Sequence, residues 1–467
     1  MKKFLFLDYH ELESIQGFSR ELEQPVKHPG NPLFAPDAPW ENGNMQFYGS
    51  VVKVGGQPFQ MWYTVIHKPW RMFLAYAESD DGLVWRRPLL EIFRHNGEKT
   101  NIVLADNPHG TAVIYDAAEP REDWRYKMVA GTDPSGCICA YHSPDGIHWL
   151  PVRRFPVIAT NPDCPMGFLR APDGRYVVYH RLYGFGRRVF RSKSWDFVYW
   201  TGEPRMVLEP DAGDPTQVQF YGLGAAPYGS YELGTLWMFH TDPEEYGRGH
   251  SRGYQEAELA YARSGYAWHR AAQGKPFIPH GSPGSWEQGN LQCASAPVYL
   301  DEEIRYYYIG TDMSHKRQWE LEPQHAGLGM ASLRPDRFVA LVAGDEPAEL
   351  LTVSVIFPSP QIQLNASTKE DGWIRVELLD INAQPIPSLT MENCLPIAGD
   401  STSHQVRWHH AQISDTLVGQ PVRLRIHACK ARLYSISLIE PGEIPLYHHI
   451  RGRSALSHQT RLRQRPC

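Results

Sequence analysis

A two-part pattern recurs along the first three quarters of the chain and constrains its fold more than any other feature. One part is a short apolar phrase at residues 31–34, 101–104, 155–158, 205–208 and 275–278. The other is a turn phrase, complete as Ser-x-Asp-Gly-x-x-Trp at 79–85 and 143–149, altered at 194–200 and 264–268, and weakest at 332–338. Intervals of about 50–70 residues are typical of one propeller blade per repeat. We therefore expect five similar sheets in a ring.

Aromatic-rich segments between these phrases are the expected second or third strands of the blades. They lie at 59–63, 125–129, 175–179, 235–239 and 305–309. Asp-Gly favours a tight turn with positive φ, and a tryptophan just after it can cover an outer strand. The 14 Trp, 24 Tyr, 39 Gly and 38 Pro of the chain suit short strands joined by turns. A closed ring of such sheets leaves no exposed sheet edge.

The pattern changes after about residue 348. Segments with period-two alternation at 373–378, 422–426 and 433–438 indicate a β-sandwich. The predicted fold is all-β, with a five-bladed β-propeller over residues 1–345 and a C-terminal β-sandwich over 346–443. Residues 444–467 contain five arginines and no acidic residue, which predicts a poorly ordered basic tail.

Charge and composition exclude several classes of function. The chain has 46 Lys+Arg against 52 Asp+Glu, so we expect no nucleic-acid partner. Only four apolar residues follow the N-terminal lysines, and no run of about 18 apolar residues occurs, which predicts a cytoplasmic protein without membrane contact. Seven cysteines without a C-x-x-C pair favour neither a disulfide framework nor a zinc site. No cofactor or metal is expected, and a homo-oligomer is left open.

Two distant stretches match closely at the places where innermost strands are expected to begin. Residues 40–46 read Trp-Glu-Asn-Gly-Asn-Met-Gln and residues 286–292 read Trp-Glu-Gln-Gly-Asn-Leu-Gln, which agree at five of seven positions. Residues 217–222 echo the continuation of the first stretch, Met-Gln-Phe-Tyr-Gly at 45–49. Side chains at the starts of inner strands point towards the axis of a propeller, so these stretches are candidates for its central funnel.

Together these features resemble the five-bladed propeller glycosidases, the superfamily that contains glycoside hydrolase families 32, 43 and 68. The resemblance covers about residues 1–345 and rests mainly on the Ser-x-Asp-Gly-x-x-Trp repeats. Family 32 enzymes also append a β-sandwich. The chain looks most like an uncharacterised bacterial family-32-like branch, whose sandwich carries phrases similar to those at 380–387 and 399–401. The resemblance implies carbohydrate chemistry in a central funnel.

The chain departs from the family 32 pattern at the catalytic boxes. Family 32 enzymes carry a nucleophilic aspartate in Trp-Met-Asn-Asp-Pro-Asn-Gly, a stabilising aspartate in Arg-Asp-Pro and an acid glutamate in Glu-Cys, and none of these boxes is present. Residues 46–49 read Gln-Phe-Tyr-Gly where the nucleophile is expected. Fructosidase activity therefore does not follow from the resemblance.

Glycoside hydrolysis requires two carboxyl groups beside the scissile bond, and three residues are the leading candidates. Glu41 and Glu287 each follow a tryptophan, which can raise a carboxyl pKa by desolvation and support a sugar face, so one of them is the predicted general acid. Asp163 is the predicted base, nucleophile or pKa modulator. The competing interpretation is that the repeated Trp-Glu phrase is structural, with the glutamate accepting backbone N–H bonds.

Further residues are predicted to bind substrate because amide, hydroxyl, aromatic and charged groups read sugar hydroxyls. They are Trp40, Gln46, Asp214, Gln219, Tyr221, His240, Trp286 and Gln292. The predicted function is a glycosidase acting on a small oligosaccharide. Two alternatives stay open, a glycoside phosphorylase in which arginines such as Arg187 and Arg188 hold phosphate, and a carbohydrate-binding propeller without catalysis.

Overall fold

The computed structural model describes residues 2–42, 44–67, 71–132, 136–159, 162–182, 186–245, 252–315, 325–358 and 360–439, with the backbone alone at 132, 162 and 163. The predicted basic tail at 444–467 lies outside these residues. Within the described ranges no helix is long and apolar enough to cross a membrane.

The chain begins with four short strands before the first blade. They are β1 (Lys2–Leu5), β2 (Leu12–Gln16), β3 (Phe18–Leu22) and β4 (Val26–Lys27). The first blade contains β5 (Met45–Lys53), β6 (Phe59–His67), β7 (Arg71–Ser79) and β10 (Ile102–Leu104), with a small hairpin of β8 (Leu90–His95) and β9 (Glu98–Thr100) before its last strand.

The next blades repeat the same antiparallel order from the innermost strand outwards. The second contains β11 (Pro108–Tyr115), β12 (Tyr126–Thr132), β13 (Cys137–Ser143) and β14 (Leu150–Pro151), and the third contains β15 (Pro162–Arg170), β16 (Tyr176–Leu182), β17 (Val189–Ser194) and β18 (Arg205–Leu208). The fourth contains β19 (Val218–Tyr228), β20 (Tyr231–Thr241), β21 (Gly253–Ala262) and β22 (Trp268–Arg270). Short 3-10 turns lie at Glu122–Trp124, Pro243–Glu245 and Asp415–Leu417.

The last blade is closed by the N-terminal part of the chain. It contains β23 (Asn290–Cys293), β25 (Ile304–Thr311) and β26 (Ala326–Leu333), with β24 (Val298–Tyr299) on β25, and β4 pairs with β26 as the outermost strand. The aromatic segments predicted as second or third strands are the second strand of every blade, and the predicted propeller is confirmed.

Hydrogen bonds between innermost strands close the ring. Val113 N in β11 donates to Ser50 Oγ in β5 at 2.8 Å. Ser295 N, just after β23, donates to the Gly49 carbonyl at 2.9 Å, and the Ser295 carbonyl accepts from Ala225 N in β19 at 2.8 Å. The first, second, fourth and fifth sheets therefore meet around one axis, and β15 fits between β11 and β19.

The predicted Asp-Gly turns are confirmed as a repeated structural unit. In the second blade Asp145 Oδ1 accepts from the backbone N–H groups of Ile147 and His148, each at 2.9 Å, and Gly146 adopts φ 78°. This turn also contacts the first blade, since Trp62 Nε1 donates to the Gly146 carbonyl at 2.7 Å. The turn phrase thus contributes to the contact between the first and second blades.

The C-terminal strands form one nine-stranded hydrogen-bonded sheet that also takes strands from the N-terminus. Its C-terminal members are β27 (Val339–Ala343), β28 (Ala348–Thr352), β29 (Val355–Ile356), β30 (Ile362–Leu379), β31 (Asp400–Gln405) and β32 (Pro421–Leu438). Strands β1, β2 and β3 pair with β32, β28 and β27. This sheet therefore draws on both sides of the predicted boundary at 345/346, which stays a prediction, as does the two-sheet form of the sandwich.

A buried ion pair joins this sheet to the propeller. Asp336 accepts from Lys3 Nζ at 2.7 and 2.8 Å, from Tyr228 Oη at 2.6 Å and from Ser435 Oγ at 2.9 Å. Because these residues lie in or beside β1, β19, β26 and β32, one carboxylate ties the fourth and fifth blades to the C-terminal sheet.

Candidate functional site

Four of the five innermost strands contain a bulge near their first residues. The pairing of β5 with β6 shifts between Gln46 and Ser50, and similar shifts occur in β11, β15 and β19. A bulge bends a strand and changes the direction of its side chains, and bulges are common beside active sites. The strand starts on this side of the ring are therefore built to present side chains to the axis.

Two tyrosines from these bulges meet at the centre. Tyr48 Oη in β5 donates to Tyr221 Oη in β19 at 2.9 Å, and His315 Nε2 lies 3.0 Å from Tyr221 Oη. The ring of Trp237 stacks on Tyr221 with centroids 6.2 Å apart. Because Tyr48 and Tyr221 belong to the first and fourth blades, which are not neighbours in the ring, their contact spans the axis.

Two guanidinium groups lie over the same tyrosine. Arg181 Cζ is 4.4 Å and Arg187 Cζ 5.1 Å from the Tyr221 ring centroid. Arg187 Nη1 donates to Gln219 Oε1 at 2.7 Å, and Gln219 Nε2 donates to Thr241 Oγ1 at 3.0 Å. Burial raises the pKa of Tyr221, although the two arginine charges oppose this shift, so the phenol stays protonated.

We call Tyr48, Tyr221, His315, Arg181, Arg187 and Gln219 the floor cluster. It combines cationic donors, phenols and one amide. Arg181 is 5 % exposed and His315 1 %. Such a set can bind an anion or read sugar hydroxyls, because arginine presents fixed N–H donors and a phenol both donates and accepts.

Asp163 is the predicted catalytic carboxylate whose backbone lies beside this cluster. It stands at the start of β15, directly opposite Arg181 in β16, and precedes the positive-φ residue Cys164. Its side chain lies outside the described part of the structure. The strand register therefore places Asp163 at the funnel end of the third blade.

Glu41 lies in a dense set of hydrogen bonds away from the floor cluster. Its carboxylate is fully buried and accepts from Arg87 Nε and Nη2, each at 2.9 Å, from Tyr63 Oη at 2.5 Å and from Ala38 N at 2.9 Å. The neighbouring Trp40 donates to Asn101 Oδ1 at 2.7 Å. These contacts are those of a structural ion pair between the segment before β5 and the segment after β7.

Glu287 also forms an ion pair with a cation, in the fifth blade. Its Oε1 accepts from Lys27 Nζ at 2.7 Å, and Trp286 stacks on Tyr308 at 6.3 Å. Tyr308 occupies the second strand, as Tyr63 does in the first blade. The matching Trp-Glu phrases therefore build matching cation–carboxylate contacts, which is the competing structural interpretation of the sequence. A catalytic role for Glu41 or Glu287 stays a prediction.

The remaining predicted binding residues divide between the funnel and the blade interiors. Gln292 accepts from Phe47 N at 3.3 Å and donates to Gln255 Oε1 at 3.2 Å, which links the first, fourth and fifth blades. Gln46 is 1 % exposed at the start of β5. The predicted inner-strand position of these amides is confirmed, and their role in binding stays a prediction.

Asp214 and His240 do not join the floor cluster through any contact found among the described residues. Asp214 Oδ1 accepts from Arg270 Nη1 at 2.5 Å, and Arg270 also pairs with Glu258. His240 Nε2 lies 3.0 Å from Glu256 Oε1 and its ring stacks on Tyr254 at 4.5 Å. His240 follows Phe239 at the funnel end of β20, so it lies at the rim.

Sequence reasoning missed Tyr48 and His315. Tyr48 had a signal, because Gln-Phe-Tyr-Gly recurs at 46–49 and 219–222 and Tyr221 was already a candidate. His315 lies outside every repeat and had no such signal. In the described residues no group of three or more His, Cys, Asp or Glu side chains could hold a metal ion.

No family model and no curated protein matches the sequence. Solved structures similar to this chain include a glycosyl hydrolase from Bacteroides ovatus, at 14% identity over 68% of this chain and 95% of that chain, with a TM-score of 0.48. They also include a β-1,2-mannobiose phosphorylase from Listeria innocua, at 11% identity over 67% and 97%, with a TM-score of 0.46.

A third similar structure extends over more of the chain. It is a glycoside hydrolase family 43 arabinoxylan arabinofuranohydrolase from Bacillus subtilis, at 9% identity, covering 89% of this chain and 99% of that chain with a TM-score of 0.39. The propeller is established by the strand order above, and these similarities assign no activity to the chain.

Proposed function

We propose that this chain is a carbohydrate-active enzyme that cleaves a glycosidic bond at the floor cluster. The observation that supports this most is the convergence of Tyr48, Tyr221, Arg181, Arg187 and His315 at the bulged ends of the inner strands. Concave sites with a few convergent polar groups on an aromatic base are the usual form of small-ligand sites. The buried ring of Trp237 stacks on Tyr221 and fixes its position in the cluster.

Asp163 is the acid that this proposal requires. It begins the inner strand of the third blade opposite Arg181, on the same side of the ring as the floor cluster. In the reaction its carboxyl group donates a proton to the leaving glycosidic oxygen while the bond from that oxygen to the anomeric carbon breaks. Glu41 and Glu287 are less suited to this role because Arg87 and Lys27 hold their carboxylates.

The arginines favour phosphate as the nucleophile. Hydrolysis with inversion requires a second carboxylate to activate water, whereas phosphate carries its own negative charge and attacks the anomeric carbon directly. Two guanidinium groups over Tyr221 supply charge-assisted donors for such a dianion. The product would be a glycosyl phosphate plus the free sugar. Hydrolysis is the second candidate, and Asp163 would then act with a further carboxylate.

The test is turnover by the full chain on a panel of disaccharides, with and without inorganic phosphate. We expect release of reducing sugar that depends on phosphate and falls at least 100-fold in Asp163→Asn, because general acid catalysis contributes about 10²–10⁴-fold. Arg187→Gln is expected to raise KM for phosphate. Asp312→Asn is the matched control, since Asp312 pairs with His325 outside the floor cluster.

Each alternative gives a different result in this assay. Equal turnover rates with and without phosphate, together with loss of turnover in Asp163→Asn, would identify a hydrolase. Binding of the sugars without turnover in the wild type would identify a carbohydrate-binding propeller. Full activity in Asp163→Asn would contradict the assigned acid.

A further inference from the structure

A group of cations surrounds one tyrosine at the contact between the third and fourth blades. Arg191 Cζ lies 4.2 Å from the Tyr266 ring centroid, Lys193 Nζ 5.8 Å and Arg205 Cζ 5.9 Å. Lys193 Nζ also donates to Tyr266 Oη at 3.1 Å. We call these four residues the seam site. Three positive charges thus lie within 6 Å of a single ring centroid.

These cations have no carboxylate within 4 Å in the part of the chain that the structure describes. Arg191 is 4 % exposed, and its Nε is buried without a hydrogen-bond partner there. An unpaired charge or donor that is removed from water destabilises a fold unless an opposite charge or an acceptor compensates it. Arg191 therefore presents an unused Nε donor towards its surroundings.

Asp173 and Glu232 interact electrostatically with Arg191, but neither forms an ion pair with it within the described ranges. Asp173 is paired with Arg175. Glu232 accepts from Tyr179 Oη at 2.5 Å, and burial raises the pKa of this carboxyl group. Burial also acts to raise the pKa of Tyr266, but the hydrogen bond from Lys193 and the nearby cations outweigh it and lower that pKa. The cations around the Tyr266 ring are the cause of this lowered pKa.

The other blades show that the fold does not require cations here. Ser194, which ends β17, corresponds to Ser79 and Ser143 because each begins the same turn and pairs with the first residue of the second strand. The residues equivalent to Arg191 and Lys193 are Tyr76 and Glu78 in the first blade and Ala140 and His142 in the second. Both of those blades form the same sheet and turn, so the cations of the third blade are not required for either.

We propose that the seam site binds a tetrahedral oxyanion, a phosphate or sulfate group that is either a free ion or an ester on a carbohydrate. Two guanidinium groups and one ammonium group provide charge-assisted donors of the kind that recognise such anions. The site lies at the turns that follow the third strands, the opposite end of the sheets from the strand starts that form the funnel. It is therefore separate from the floor cluster and independent of the proposed reaction.

The experiment is isothermal titration of the full chain with sodium phosphate, against sodium chloride at matched ionic strength. We expect saturable binding that persists in Arg187→Gln, because that variant weakens only the floor cluster. Lys193→Gln and Arg205→Gln should each raise Kd about tenfold, since each removes one charge-assisted donor. Arg86→Gln is the matched control, because Arg86 is an exposed cation paired with Glu78 at the equivalent turn of the first blade.

Two further arms identify the source of the anion. Tighter binding of glucose 6-phosphate or glucose 6-sulfate than of the free ions indicates an ester on a carbohydrate, and the reverse order indicates a free ion. The proposal is overturned if the wild type shows no saturable binding of any of these probes beyond chloride. It is equally overturned if Lys193→Gln and Arg205→Gln bind as the wild type does, and both residues are accessible enough that their variants are expected to fold.

Discussion

Replacing Glu41 by glutamine separates a structural carboxylate from a catalytic one. Glu41 is fully buried and accepts four hydrogen bonds, two of them from Arg87. Removing one partner of a buried ion pair costs about 3–5 kcal/mol because the other charge is left uncompensated. Glutamine keeps the shape of the glutamate side chain and one acceptor oxygen, so we expect a destabilisation at the lower end of this range, about 3 kcal/mol. For a unit of this size that lowers the melting temperature on the order of 5 °C.

A double-mutant cycle makes this expectation specific to the pair. Arg87→Gln alone should destabilise by a similar amount, and Glu41→Gln with Arg87→Gln should cost about 2 kcal/mol less than the sum. Thermal unfolding followed by circular dichroism measures these changes. Glu91→Gln is the control, because Glu91 forms exposed ion pairs, which contribute little to stability.

Turnover of the same variants supplies the refutation. If Glu41→Gln melts within 1 °C of the wild type and yet loses activity, the carboxylate acts in the reaction and the structural interpretation is wrong. If it melts lower and the folded fraction turns over at the wild-type rate, the ion pair is structural.

Three further outcomes are expected. Glu119→Gln should unfold more easily near neutral pH, since the substitution leaves the buried Lys127 ammonium without its carboxylate. Burial raises the pKa of Glu119, but the hydrogen bonds from Arg121 and Lys127 outweigh burial and lower this pKa to about 2. The stability that Glu119 contributes is therefore present above about pH 4.5 and lost towards pH 2, so the melting temperatures of wild type and variant should converge over that range. Gly146→Ala should lower the free energy of unfolding by about 1–3 kcal/mol in urea titrations, because a Cβ at φ 78° would lie 2.6 Å from Trp62 Cζ2. An unchanged urea midpoint would contradict the described packing of this turn. Tyr221→Phe should lower sugar affinity in calorimetry with little change in melting temperature, and unaltered affinity would remove that phenol from the site.

The repeated elements of the fold could be predicted because each is set by local sequence. The Asp-Gly turn at 145–146 needs only a nearby serine, a carboxylate and a residue that tolerates positive φ, and the third blade uses Phe197 at φ 68° in the glycine's place. The second strands were equally readable from their aromatic residues. The N-terminal strands were not, because β1 pairs with β32 more than 400 residues away and nothing local specifies that partner.

The site was less accessible to sequence reasoning than the fold. The Trp-Glu repeat located the starts of two inner strands, but the partners that engage the glutamates, Arg87 and Lys27, lie in the outer parts of their blades and follow only from the three-dimensional register. The bulge that brings Tyr48 to Tyr221 also cannot be seen in the sequence pattern. One extra residue changes the direction of the side chains in a strand without changing the composition of that strand.

The most direct test of the proposed reaction is product analysis by phosphorus and proton nuclear magnetic resonance, with the wild-type chain, phosphate and a mixture of disaccharides. We expect a new glycosyl phosphate resonance that grows with the free sugar and is absent from Asp163→Asn and strongly reduced in Arg187→Gln. Cleavage at the wild-type rate in both variants would contradict the placement of the reaction at the floor cluster.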